Sequence, residues 1–191
     1  MTPPLIFLIG YRGTGKTTVG RVLAGRLGWA FVDADDRIEA AAGKSIRDIF
    51  AAEGEAGFRD REAATLADLC ALRNHVVATG GGVVLRAENR ERLRAAGFVA
   101  WLTADADTAF ARLRGDPTTA ARRPDLTPGG GLDEVRTLLA AREPLYRGCA
   151  DFAADAAAPS PEAVAAAIFT AWNGGTTSRP SCGAASPSSS G

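Results

Sequence analysis

At 191 residues the chain can form one domain with a substantial buried core, and 46% hydrophobic with 23% charged residues is ordinary for a soluble globular protein. Its 22 Lys and Arg balance 22 Asp and Glu, and this zero net charge excludes a global basic field that would gather nucleic acid or an anionic membrane. Cys70, Cys149 and Cys182 have neither metal-ligand nor disulfide-framework spacing, which points to free thiols in a reducing cytoplasm.

The start, MTPPLIFLIG, shows no basic leader or cleavage pattern, and its apolar run is too short to span a bilayer. Leu5 to Ile9, closed by Gly10, suits a central parallel strand. Next comes GYRGTGKTT, a match to G-x-x-x-x-G-K-[ST] at Gly10, Gly15, Lys16 and Thr17. The motif sits where it must, between an apolar strand and a helix over 17–27 with Val19, Leu23 and Leu27 on one face. Backbone N–H groups of Gly13, Thr14, Gly15, Lys16, Thr17 and Thr18 are therefore expected to cradle nucleotide phosphates at a helix N-terminus. Lys16 is expected at the β and γ phosphates of ATP, and Thr17 on Mg²⁺. A P-loop alone does not separate kinase from GTPase. No N/T-K-x-D segment follows a strand, however, and the chain is short, so a small-molecule phosphotransferase is favoured.

Ala30 to Val32 predicts a short strand ending in Asp33, Asp35 and Asp36, at the sheet edge where open α/β folds bind ligands. Two explanations stand: one acid supporting the metal's water shell while another engages an acceptor hydroxyl, or an acidic helix start favoured by the dipole. Asp36 fits the second. Helices are predicted over 36–42, over 45–53 with Ser45 as cap, and over 59–73. Arg59, in GFRDRE, is equally explained as a ligand-binding group or as part of a solvated ion-pair face with Arg61 and Glu62. Strand 75–78 then runs into Gly80, Gly81 and Gly82, and Val83 to Leu85 looks like a resumed strand. Three successive glycines point to a close backbone approach.

Helix 87–96, strand 98–102 and helix 105–113 follow. From Gly115 to Gly131 there is little periodicity, and Arg114, Arg122 and Arg123 lie in or beside an excursion able to close over phosphates. The second triplet, Gly129 to Gly131, needs no role beyond hinge or spacer. Helix 132–147 contains Arg142 and Tyr146, the latter expected in packing; a weak strand near Phe152 and helix 161–171 close the domain. Alternating strands and helices imply a three-layer α/β/α fold with a mostly parallel five-stranded sheet. Residues 173–191, rich in Ser, Gly and Pro, are expected to form a disordered tail.

In order, GYRGTGKTTVGR (10–21), FVDADDRIEAAAGKSIRDIFAAEGEAGFRDRE (31–62), ATGGG (78–82), RRP (122–124) and AREPLYR (141–147) resemble the shikimate kinase family of P-loop, nucleoside-monophosphate-kinase-like enzymes. The resemblance covers about 5–170 and implies a catalytic domain over 1–172, with a substrate-binding helical region at 34–62 and a lid at 114–128. It implies transfer of the γ-phosphate of Mg-ATP to the 3-hydroxyl of shikimate, in aromatic amino acid biosynthesis, by a cytoplasmic monomer. By motif position Asp35 orients or deprotonates that hydroxyl and Asp33 belongs to the Mg²⁺ shell. Arg59 and Arg142 grip the shikimate carboxylate, and Gly80, Gly81 and Gly82 line the pocket. Arg123 approaches the transferring phosphate, while Arg114 and Pro161 flank adenine. The chain departs from the family pattern at Ala34, where D-T-D is usual, and at Asp125, which follows Arg123-Pro124 where leucine is common. The rivals are another small-metabolite kinase, such as a gluconate kinase, and an inactive nucleotide-binding relative; intact Lys16, Asp33 and Asp35 argue against the latter.

Overall fold

The computed structural model describes residues 4–115 and 131–175. Its elements run β1 (Leu5–Ile9), α1 (Lys16–Leu27), β2 (Ala30–Asp33), α2 (Ala34–Ala42), α3 (Ile46–Leu69), β3 (His75–Ala78) and a 3₁₀ turn (Val83–Leu85). They continue through α4 (Ala87–Ala96), β4 (Phe98–Thr103), α5 (Ala106–Gly115), α6 (Gly131–Cys149), β5 (Phe152–Asp155) and α7 (Pro161–Asn173). The five strands lie in the order β2-β3-β1-β4-β5, and every neighbouring pair is parallel.

The uninterrupted apolar run of β1 makes sense at the centre of such a sheet, because both its faces are covered. Leu5, Phe7 and Ile9 pack with Leu66 and Leu69 of α3, Leu93 of α4, and Tyr146 and Cys149 of α6. Ile6 and Leu8 point to the other side, among Val19 and Leu23 of α1 and Val164 and Ile168 of α7. Helices on both faces make three layers, and parallel pairing brings all five strand ends, with the loops that follow them, to one edge. Among the described residues no helix is long and apolar enough to cross a membrane.

Two segments depart from the sequence reading. Ser45 does cap a helix, its hydroxyl accepting from the Asp48 N–H, but helical structure runs on from Ile46 to Leu69 rather than separating into 45–53 and 59–73. Gly54 breaks it, at φ 69° and ψ −174°, a conformation essentially reserved for glycine. Ile38, Ile46, Ile49 and Phe58 form a separate small core around this bend, with Phe50 stacked on Phe58 at 4.7 Å. That core holds α2 and the two halves of α3 together. The second departure is Val83–Leu85, a 3₁₀ turn instead of a strand. Val83 N–H and Leu85 N–H donate back to the carbonyls of Gly80 and Gly82, so the backbone satisfies itself locally and never joins the sheet.

Candidate active site

The loop from Gly10 to Gly15 leaves β1 and turns sharply into α1. Gly13 takes φ 78° and packs so close to α5 that a Cβ would sit 2.7 Å from the Ala109 carbonyl oxygen. Gly15 caps α1 in the left-handed region without a side-chain hydrogen bond, and the first turn of α1 carries no acid. The helix therefore presents its first-turn N–H groups and a positive dipole end with no acid beside them, a ready anion site. Lys16 Nζ folds across the loop, donating to the carbonyls of Gly10 at 2.9 Å and Tyr11 at 2.7 Å. Its ammonium is thus held over the concave side where phosphates would lie.

One helical position on, Thr17 Oγ1 donates to Asp33 Oδ2 at 2.8 Å. Asp33 is also the N-cap of α2, its Oδ1 accepting from the Asp35 N–H at 3.0 Å. Asp33 is thus a helix start, and the same side chain also reaches the P-loop. Burial, reinforced by the neighbouring Asp35 charge, pushes the Asp33 carboxyl above its ordinary pKa, against the opposing Thr17 hydrogen bond. Asp36 is exposed in the first turn of α2, as a dipole partner should be. A hydroxyl touching a half-buried carboxylate fits Mg²⁺, which binds through few protein oxygens together with substrate phosphates. It does not need a dense ligand cluster, and among the described residues no group of three or more His, Cys, Asp or Glu forms one.

Arg59 does not lie on a solvated ion-pair face. Arg61 turns outward to Glu53, with contacts of 2.7 and 2.9 Å, whereas Arg59 and Glu62 turn inward. Arg59 Nη1 donates to Glu62 Oε2 at 2.7 Å, and Nε and Nη2 donate to Glu55 at 3.3 and 3.2 Å. Burial works against the guanidinium charge, but Glu62 and Glu55 outweigh it and hold its pKa above the usual value. The guanidinium lies directly over Gly82, where any Cβ would collide with it.

Gly81 is tight but less crowded. A Cβ there would come 3.2 Å from the Arg12 backbone nitrogen, so the glycine turn rests on the P-loop. Its carbonyl accepts from the buried Tyr146 hydroxyl and from Arg142 Nη1 at 3.4 Å. Tyr146 does pack, stacked on Trp101, but its hydroxyl also fixes the turn. Burial raises the phenol pKa well above its ordinary value, opposed by Arg142, and keeps it a neutral donor. Arg142 itself is buried, with its guanidinium carbon 5.8 Å from the Tyr11 ring centre. Thr79 anchors the turn by donating both N–H and Oγ1 to the Leu8 carbonyl. The strand ends thus gather Lys16, Thr17, Asp33, Asp35, Arg59, Gly80 to Gly82 and Arg142 along one edge, with two buried arginines facing the glycine turn.

The structure separates other expectations. Arg114 is exposed, against the Phe110 ring of its own helix. Arg112, two residues earlier, crosses to the β5–α7 loop and donates to the Ala156 carbonyl at 2.8 Å. Pro161 opens α7 just beyond that loop, behind the Ser160 cap. Arg123, with the rest of 116–130, and the tail beyond 175 lie outside the described residues; Gly131 starts α6 at φ 79°. Sequence reasoning passed over Arg112, Arg12 and Glu134, and placed Glu62 beside Arg59 on a solvated face where the structure buries the pair.

A glycine-rich phosphate loop on the central strand of an all-parallel sheet, with two buried arginines at the neighbouring glycine turn, defines a P-loop nucleotide-binding protein. A family model described as Shikimate kinase matches residues 12–173. The chain belongs to the shikimate kinase family and is an enzyme. The shikimate kinase of Rhodopirellula baltica is 50% identical over 153 residues, 80% of this chain and 82% of that protein. That of Symbiobacterium thermophilum is 55% identical over 141 residues, covering 74% and 80%. Among solved structures, shikimate kinase from Acinetobacter baumannii in complex with shikimate aligns with TM-score 0.85 at 38% identity, covering 91% of this chain and 95% of that one. A gluconokinase from Sinorhizobium meliloti aligns over 92% and 94% with TM-score 0.57 at 18% identity, a likeness of fold alone.

Proposed function

We propose that the enzyme transfers the γ-phosphate of ATP to the 3-hydroxyl of shikimate, releasing shikimate 3-phosphate and ADP. The observation that carries this reading is the pair of buried arginines, Arg59 over Gly82 and Arg142 on the Gly81 carbonyl, beside the P-loop. Two buried forks flanking a side-chain-free turn suit a flat carbocyclic acid whose carboxylate needs cationic partners. Gluconate also carries a carboxylate, but it is an open chain, and the flat side-chain-free turn between the two arginines suits a ring better.

In this reading Gly13 to Thr18 hold the phosphates through backbone N–H groups, and Lys16 extends to the β and γ phosphates. Thr17 directly, and Asp33 through bound water, would hold Mg²⁺, which when present neutralises charge on the phosphates. Arg59 and Arg142 fix the acceptor, so that Asp35 meets the reacting hydroxyl and orients it or takes its proton. Phosphoryl transfer asks chiefly for in-line positioning and charge neutralisation, so a strong base is unnecessary. Arg123, in the 114–128 lid, supplies further charge on closure. Arg114 and Pro161 flank adenine, and Arg112 ties α5 to the β5–α7 loop between them. The enzyme works as a cytoplasmic monomer.

Coupled ADP release with Mg-ATP and a panel of hydroxylated acids tests this. Turnover is expected with shikimate and not gluconate; the reverse preference would overturn it.

A further inference from the structure

Arg12 is the third residue of the phosphate loop, and nothing in the account above uses its charge. Its backbone nitrogen abuts Gly81, so it stands at the seam between the phosphate cradle and the glycine turn of the acceptor recess. Its Nη2 donates at 2.9 Å to Glu134 Oε1, on the first turn of α6, 122 residues away in sequence. The Glu134 side chain is 1% exposed and that of Arg12 14%. Arg12 Nε is shielded from solvent and has no hydrogen-bond partner among the described residues.

A buried ion pair contributes little over an apolar pair of the same size, because desolvation offsets the attraction. Such a pair is better explained by a need for the charge than by a need for stability. A guanidinium held by Glu134 with its Nε shielded and unmatched, on a residue whose backbone lies at the junction of donor and acceptor sites, suits an anion that arrives during the reaction. We propose that Arg12 is a further catalytic residue, a cis-acting arginine that stabilises charge on the phosphoryl group in flight, and that Glu134 is its positioning residue.

The inference rests on the kinase reading above. As the shikimate 3-oxygen bonds to the γ-phosphorus, the bond from that phosphorus to the β–γ bridging oxygen breaks, and its electron pair leaves on ADP. The hydroxyl proton passes to the Asp35 carboxylate and then to water. Negative charge on the equatorial oxygens is spread out in transit, and Arg12 matches it there more than in either ground state.

The test measures kcat, both KM values, thermal melting and affinity for ADP with aluminium fluoride and shikimate, a mimic of the transferring group. Arg12→Met should lower kcat about 100- to 1,000-fold, the size of losing one preorganised donor, with little change in either KM. It should lose affinity for the aluminium fluoride complex while still binding ADP. Arg12→Lys should recover part of kcat. Glu134→Gln should lower kcat about 10-fold, as for a weakened charged hydrogen bond, and add nothing in the Arg12→Met background. Wild-type kcat in Arg12→Met, or a loss confined to melting temperature or to KM, would overturn the proposal. A wild-type enzyme inactive on shikimate would instead overturn the kinase reading beneath it.

Discussion

Gly82→Ala isolates the acceptor recess with a single methyl group. Gly82 has φ −100° and ψ 0°, which alanine adopts without strain, so the backbone itself is not perturbed. The added Cβ collides with the Arg59 guanidinium, and that guanidinium is the far end of a long side chain. It will move before the backbone does, sliding against Glu62 and Glu55 and away from the shikimate carboxylate. A charged hydrogen bond is worth about 1.5–3 kcal/mol. At about 1.4 kcal/mol per tenfold, shikimate KM should rise roughly 10- to 150-fold, with ATP KM nearly unchanged. Coupled ADP release with each substrate varied in turn reads both constants. Because the methyl acts only through Arg59, Gly82→Ala should cost far less in an Arg59→Ala background. Wild-type KM for shikimate in Gly82→Ala, or equal losses for both substrates, would refute the reasoning.

Asp33 should make the ligand-free protein less stable as pH rises. Its folded pKa is raised by burial and by Asp35, so its contribution is fully present below the ordinary carboxylate value and is lost as pH climbs through the raised one. Asp33→Asn should therefore melt progressively higher than wild type over that interval while losing turnover; a melting difference that is flat or shrinks with pH contradicts this. Tyr146→Phe removes a buried donor from the Gly81 carbonyl, which Arg142 meets only at 3.4 Å. Denaturant unfolding should show a loss of about 1–3 kcal/mol, and shikimate KM should rise as Arg142 is freed. Asp35→Asn should lower kcat with little effect on ATP binding, and normal turnover would remove its role at the hydroxyl.

What could be read from sequence was local in character. The Gly10 to Thr18 loop, the apolar β1 and the Ser45 cap each depend on neighbours within a few residues, so motif and periodicity suffice. Gly54 hid the continuity of α3, because a glycine inside a helical pattern does not announce whether the chain bends or stops. Val83 to Leu85 has strand composition, yet the preceding glycines let the backbone close on itself before it could pair. Arg59 was undecidable by composition: Arg61, two residues on, forms the exposed ion pair that Arg59 equally suggested, and only the fold turns one inward and the other out. Arg12 with Glu134, Tyr146 with Gly81 and Arg112 with Ala156 join residues 122, 65 and 44 apart. No single-sequence spacing rule reaches across such separations.

Phosphorus NMR of the reaction product tests the central claim most directly, because it reports both the transfer and the oxygen that receives it. With Mg-ATP and shikimate the account predicts one new phosphomonoester, coupled to the proton on ring carbon 3, appearing in step with ADP. A phosphate on another hydroxyl, or ADP accompanied only by free phosphate, would contradict it.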